Sequence, residues 1–398
     1  MGGIVLIDVE QARRDTPGCA HVLHFNNAGA ALMPSAVLEA QVAHLQLEAQ
    51  IGGYEAFDRA EPEVEHTYAA IARLIGCDAE DVAIVENATR AWDMAFYAIP
   101  FAAGDRILTS EADYASNFIA YLQVARRTGA VVEVVPSDAV GQMSVQALAD
   151  RLDDRVRLVS VTHVPTNSGL INPIEDIGRR VRQARALYLV DACQSAGQIP
   201  LDVERIGCDF LSATSRKYLR GPRGAGFLYV RRDTTAALEP PLLDLHAARW
   251  IERGRYEVRR DARRFENWEG NMAARIGLGV AVDYALDLGI EAIAQRVWEL
   301  AQMLRTGLAA IPGVSVTDIG RARCGIVTFA CAGKSPEAIR KALLAQRINV
   351  TTSTVFSTRV DMERRRLSDV VRASVHYYNT ECEVERFCAA MEAIAKTD

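Results

Sequence analysis

The sequence predicts an α/β fold: a large domain with a mainly parallel, helix-covered sheet, then a smaller α+β C-terminal domain. Three observations carry this. Short β-rich apolar runs alternate with helical patterns through the middle of the chain. From about Asn271 long helical stretches replace that alternation. The 398 residues are enough for two domains with a large core.

The candidate strands are Val82–Val85, Arg106–Thr109, Val131–Val135, Leu158–Thr162, Leu187–Val190, Phe210–Ser212 and Gly226–Val230, a seven-stranded set. Helical patterns fall between most of them: Ala88–Ala98, Ala115–Arg126, Val145–Leu152 and Ile174–Gln183. A Gly-rich loop joins the last two strands, so that pair is read as antiparallel at the sheet edge. Near the N-terminus Pro34 opens a helix to about Gln50, since Pro is tolerated in a first turn. Beyond Asn271 come helices Met272–Leu288 and Ile290–Ile311. Strands Val314–Asp318, Gly325–Phe329 and Val371–Val375 then mix with helices Ser335–Gln346 and Glu381–Ala395. The expected division is 20–270 and 271–398, with residues 1–19 packing on the second part.

Composition excludes several classes. A net charge of −6 argues against a nucleic-acid or anionic-membrane surface. The first ten residues hold one short apolar run, Ile4–Ile7, and no basic region, so neither signal peptide nor anchor is expected and a cytoplasmic location is. No stretch reaches the ~20 apolar residues of a membrane helix. The eight cysteines are scattered without CxxC spacing and the seven histidines show no ligand spacing, so no metal site is expected.

The chemistry centres on Lys217. It follows the apolar run Asp209–Ser212, within Ser-Ala-Thr-Ser-Arg-Lys-Tyr-Leu-Arg-Gly-Pro-Arg-Gly. Upstream, Leu187–Val190 ends in Asp191, with Gln194 on the same turn. A strand-end carboxylate followed by a hydroxyl-flanked lysine suits an aldehyde cofactor with a basic ring nitrogen, pyridoxal 5'-phosphate (PLP). The lysine amine condenses with the aldehyde, and the carboxylate keeps the ring nitrogen protonated. Val82–Val85 leads through Glu86-Asn87 into a helix opening with Ala88 and Thr89, whose free N–H groups and dipole suit a phosphate. A plain N-cap is the rival reading of Thr89, and capping and phosphate binding can coexist. Tyr114 follows one strand and could stack on the ring; Asn167 follows another. These groups fall at the carboxyl ends of their strands, where open α/β sheets bind ligands. His163 reads as structural. The arginine run 364–366 and the charged stretch 249–264 read as solvated faces, and Trp250 and Trp268 as either cavity lining or core cover.

Val190–Gly197 and Ser212–Val230 resemble the class V aminotransferase superfamily in its cysteine desulfurase and selenocysteine lyase branch, as do Phe25–Ala30 and Arg372–Thr380. The resemblance spans residues 22 to 395 in order. It implies the PLP-dependent transferase fold type I, with Lys217 carrying the cofactor and Asp191 on its ring nitrogen. Thr89, Thr214 and Arg216 would hold the phosphate, and Arg372 the substrate carboxylate. It also implies a homodimer with the site at the interface, where Glu269-Gly270-Asn271 would reach across. Asn27 and Tyr54 are further candidate substrate contacts.

One departure stands out. Desulfurases carry a loop cysteine that takes up the substrate sulfur; the matching segment here, 351–361, has none. Residues 48–56 and, more loosely, 267–275 look like cysteine S-conjugate lyases such as hercynylcysteine sulfoxide lyase. The expected reaction is therefore C–S β-elimination from a cysteine S-conjugate, with Lys217 as Cα base, giving a thiol-type product, pyruvate and ammonia without a persulfide. The alternative is transamination, epimerisation or decarboxylation-linked deamination on the same residues.

Overall fold

The computed structural model describes residues 7–397. Residues 1–6, which include most of the apolar run at Ile4–Ile7, lie outside the described residues. The architecture is the expected one: a large mixed, mainly parallel seven-stranded sheet and a smaller α+β C-terminal part, the fold type I arrangement.

Helices α1 (Ser35–Ile51) and α2 (Glu61–Ile75) precede the large sheet. The sheet and its helices then alternate: β1 (Val82–Val85), α3 (Ala88–Ala98), β2 (Arg106–Ser110), α4 (Ala115–Thr128), β3 (Val131–Val135), β4 (Val156–Thr162), α5 (Ile174–Val181), β5 (Leu187–Asp191), β6 (Phe210–Thr214) and β7 (Gly226–Val230). The strand order is β1-β7-β6-β5-β4-β2-β3. Pairs β2–β3, β2–β4, β4–β5 and β5–β6 are parallel, whereas β7 is antiparallel to both β6 and β1. The β6–β7 pair is thus antiparallel as expected, but it is not at the edge: β1 lies outside it. Sequence order hides this, because β1 is the first strand of this sheet in the chain and lies beside the last.

β4, β5 and β6 read as near-continuous apolar runs because both faces are covered. Val159, Val161, Tyr188 and Val190 face one buried cluster; Leu158 and Leu189 face a second, with Trp92, Phe96, Tyr121 and Phe210. A β-hairpin (Ala248–Glu252 with Arg255–Val258) occupies much of the stretch read as a solvated charged face.

The C-terminal part begins with α6 (Met272–Leu288), packed on α1 and α2, and α7 (Ile290–Ala309). Strands β8 (Val314–Val316), β9 (Ile326–Cys331), β10 (Thr351–Ser353) and β11 (Val370–Ser374) form a sheet in the order β8-β9-β11-β10, all antiparallel. Helices α8 (Pro336–Ala345) and α9 (Glu381–Lys396) cover it. Thr380 and Glu383 form a capping box that starts α9. The N-terminal chain is tied here: Arg13 donates to the Tyr378 carbonyl at 2.9 Å and pairs with Glu383 at 2.8 Å.

Candidate active site

Because β7 is antiparallel to both neighbours, β1 runs in the same direction as β4, β5 and β6. The carboxyl ends of all four open on one edge, and a cleft of about 420 Å3 lies there. Asp191 ends β5, Thr162 ends β4 and Thr214 ends β6. Val85 ends β1, and the chain turns through Glu86 and Asn87 into α3.

Two glycines let these pieces meet. Gly226 is paired with both Val85 and Thr214. A Cβ there would stand 2.7 Å from the Ala213 carbonyl oxygen and 3.1 Å from the Ala88 nitrogen, so only glycine lets the α3 N-terminus approach β6. Gly197 has φ +87°, and a Cβ there would stand 2.6 Å from the Tyr218 carbonyl carbon. It packs the Asp191–Gly197 turn against the backbone after Lys217. Arg220 closes the lysine loop. Its φ of 61° is a strained position for a non-glycine residue. The buried guanidinium holds it there, donating to the Leu32 carbonyl at 2.8 Å and lying 4.6 Å from the Tyr378 ring centre.

Lys217, Asp191, Gln194, Thr89, Ala88, Tyr114, Thr214 and Arg216 all line the cleft. The N-cap of α3 is Asn87, whose side chain accepts from the Arg90 N–H at 2.9 Å, so Thr89 is not the cap. Asp191 uses one oxygen locally: Oδ1 accepts from the Cys193 N–H at 2.9 Å. Gln194 donates to the Ala28 carbonyl at 3.1 Å, and its Oε1 is buried without a partner. Burial holds the Lys217 amine below the ordinary lysine value, and Arg216 and Arg372 push the same way while Asp191 opposes them. A lowered value keeps more amine as the free base, the form that condenses with an aldehyde.

The other five residues lie outside the cleft lining. Arg372, in the middle of β11, is buried; its Nη1 donates to the hydroxyl of Thr166, which does line the cleft. Asn167 turns its amide nitrogen away, to the Thr358 hydroxyl at 2.9 Å, pinning the segment after β10. Asn27 is fully buried, donating to the Ser374 carbonyl at 2.7 Å and accepting from the Tyr378 hydroxyl. Asn271 caps α6, accepting from the Ala274 N–H at 2.9 Å. Tyr54 is 74% exposed. Trp250 and Trp268 are also exposed, so they cover no core in this chain. His163 is buried behind the cleft, and burial lowers its value to about 3, leaving the ring neutral.

The lining also holds Cys193, Thr162, Val164 and Thr166, which the sequence reading did not single out. Cys193 is one residue from Gln194, and Thr166 one from Asn167. Strand-end turns bring in neighbours of the named residues, a signal available from spacing alone.

These residues fit PLP. The lysine is partly buried, a carboxylate faces it, a helix N-terminus opens on the same cleft, and a buried amide oxygen lacks a partner. The Aminotransferase class-V family matches residues 23–387, and the chain belongs to that family. It is a PLP-dependent enzyme. Among its relatives are the probable cysteine desulfurases of Pyrococcus abyssi and Methanothermobacter thermautotrophicus. Each is 28% identical, over 98% of this chain and 98% or 99% of the relative. Among solved structures, the cysteine desulfurase of Thermococcus onnurineus NA1 superposes with a TM-score of 0.90 at 26% identity, covering all of both chains. The cystine C-S lyase C-DES, in complex with its reaction product cysteine persulfide, gives 0.86 at 25% identity, covering 95% of this chain and 99% of that one. A C-DES variant with glycine covalently linked to its PLP cofactor gives 0.87 at 25%.

These relatives overturn one expectation. The persulfide-free β-elimination giving a thiol, pyruvate and ammonia is not the reaction they point to: the relatives named are cysteine desulfurases, and the C-S lyase among them forms a persulfide. The missing cysteine at 351–361 was too narrow a basis for naming the reaction, since it speaks only to where sulfur is received.

Proposed function

We propose that the protein removes sulfur from L-cysteine or a close analogue in the manner of a cysteine desulfurase, leaving alanine. The observation that carries the amino-acid reading is Arg372. Its Nε is buried without a partner, and no carboxylate pairs with the guanidinium among the described residues. Burial lowers its value well below the ordinary arginine range, to about 10. An uncompensated buried cation costs free energy that an incoming carboxylate offsets. The sulfur reading rests on the named relatives.

PLP supplies an aldehyde that captures the substrate amine and a ring that takes up electrons from Cα. The chain supplies the rest. Arg372 grips the α-carboxylate after leaving Thr166. Lys217, once displaced, takes the Cα proton and returns it to carbon. Asp191 holds a proton on the ring nitrogen. Ala88, Thr89, Thr214 and Arg216 hold the phosphate.

The substrate sulfur then passes to a thiol, cysteine plus RSH giving alanine plus RSSH. Cys193 is the one cysteine in the cleft lining, but burial pushes its thiol up to about 12, so it is protonated at neutral pH and a poor acceptor. A small thiol from solution is the better acceptor. The test is amino-acid analysis after incubating the holoenzyme with L-cysteine and dithiothreitol. Alanine and sulfide in equal amounts are expected. A keto acid or D-cysteine in place of alanine overturns the reading. That second outcome is transamination or epimerisation, the alternative that the same Lys217 and Asp191 would serve.

The homodimer belongs to the same proposal. Leu38, Val42 and Leu45 leave an apolar stripe exposed along α1, and Trp250, Tyr256 and Trp268 are exposed on and near the hairpin.

A further inference from the structure

We infer that Asn117 is a positioning residue for Asp191, and that Asp113 is the fixed anchor from which it acts. Asn117 is the third residue of α4 and is 4% exposed. Its Nδ2 donates to Asp191 Oδ2 at 3.1 Å and to Asp113 Oδ1 at 3.3 Å. One amide nitrogen therefore bridges two buried carboxylates. The amide has only one workable orientation, because its oxygen in that place would face both anions.

Asp113 cannot rotate to accommodate a shift. Tyr121 OH and the Tyr114 N–H donate to its two oxygens, each at 2.7 Å, and the hydroxyls of Thr109 and Thr162 donate as well. These donors come from β2, β4 and α4, so the carboxylate is fixed to three elements at once. Thr162 is also the register partner of Asp191 across β4 and β5. The bridge thus ties the end of β5 to α4. With Cys193 N–H on Oδ1 and Asn117 on Oδ2, both Asp191 oxygens are oriented by one donor each.

Two consequences follow for the ring-nitrogen contact. The carboxylate plane is set before the cofactor arrives. The Asn117 donor also stabilises the Asp191 anion, so a proton shared with the ring stays on the nitrogen rather than moving to the carboxylate. Neither function needs Asn117 to touch cofactor or substrate.

This rests on Asp191 being the ring-nitrogen partner, so the test includes that residue. The readout is the 15N resonance of PLP labelled at the ring nitrogen, bound to wild type, Asn117→Ala, the similar-sized Asn117→Leu and Asp191→Ala. The cofactor dissociation constant and the melting midpoint of each apoprotein are measured alongside. In both Asn117 variants the resonance is expected to move from the pyridinium toward the neutral-pyridine position, and the dissociation constant to rise about tenfold, the scale of one hydrogen bond to a charged group. A variant that melts early yet keeps the wild-type resonance assigns Asn117 to packing and overturns the inference. An unchanged resonance and dissociation constant in both Asn117 variants overturns it equally. If Asp191→Ala shifts the resonance and the Asn117 variants do not, only the role of Asn117 fails. If Asp191→Ala leaves it unshifted, the ring-nitrogen assignment itself fails.

Discussion

Lys217→Ala is expected to abolish the visible absorption of the lysine–cofactor imine and to lower turnover of any amino-acid substrate by about a thousandfold or more, the upper range for losing a general acid–base group. The two losses have one cause. On the proposed function the Nζ of Lys217, in the cleft lining, would both carry the cofactor and, once released, face the substrate Cα. PLP should still bind, because Ala88, Thr89, Thr214 and Arg216 lie elsewhere on the lining. The measurement is the spectrum of the reconstituted variant together with single-turnover kinetics. Retention of the imine band would place the attachment on another lysine. Added methylamine should restore part of the rate, since a small amine can do the base's work without the side chain.

Arg372→Ala is expected to raise KM for the amino acid about 10- to 100-fold, the cost of losing hydrogen bonds to a charged group. Cofactor binding should be nearly unchanged. The residue lies on β11, not on the cleft lining, and meets the cleft through Thr166. Arg372→Lys should recover little, because a point charge cannot reproduce the planar fork. The steady-state comparison is between the free amino acid and its amide. Wild type should discriminate strongly against the amide, and the alanine variant should not. Equal discrimination by both would remove Arg372 from carboxylate recognition.

The sequence carried the fold at the level where local pattern decides it. Apolar runs with turn residues marked all seven strands of the large sheet, and Met272–Leu288 and Ala88–Ala98 were legible end to end from their helical pattern, though not from their caps Asn271 and Asn87. Strand order was not legible, because β1 reaches its partner β7 across much of the chain and nothing local records that pairing. The hairpin at 248–258 was hidden by charge: its exposed faces are Arg- and Glu-rich, so no apolar alternation announced it. Helix α2 was passed over although Val64, Tyr68, Ile71 and Ile75 make its buried face.

At the cleft, the residues on strand-end turns were legible because chemistry and spacing coincide there. Asn167, named by the same logic, lies outside the cleft lining. It follows β4, yet its amide nitrogen bonds to Thr358, a residue remote in sequence. Asn117 escaped notice for the opposite reason: it sits one helical turn after Asp113, inside a helix, where a polar residue reads as a solvated face. Only the three-dimensional contact with Asp191 gives it meaning.

The most direct test of the account is borohydride reduction of the holoenzyme followed by mass mapping of its peptides. One phosphopyridoxyl group is expected, on Lys217, lost when a tight amino-acid ligand is added before reduction. A modified lysine elsewhere, or no modification in protein that has bound PLP, would contradict it.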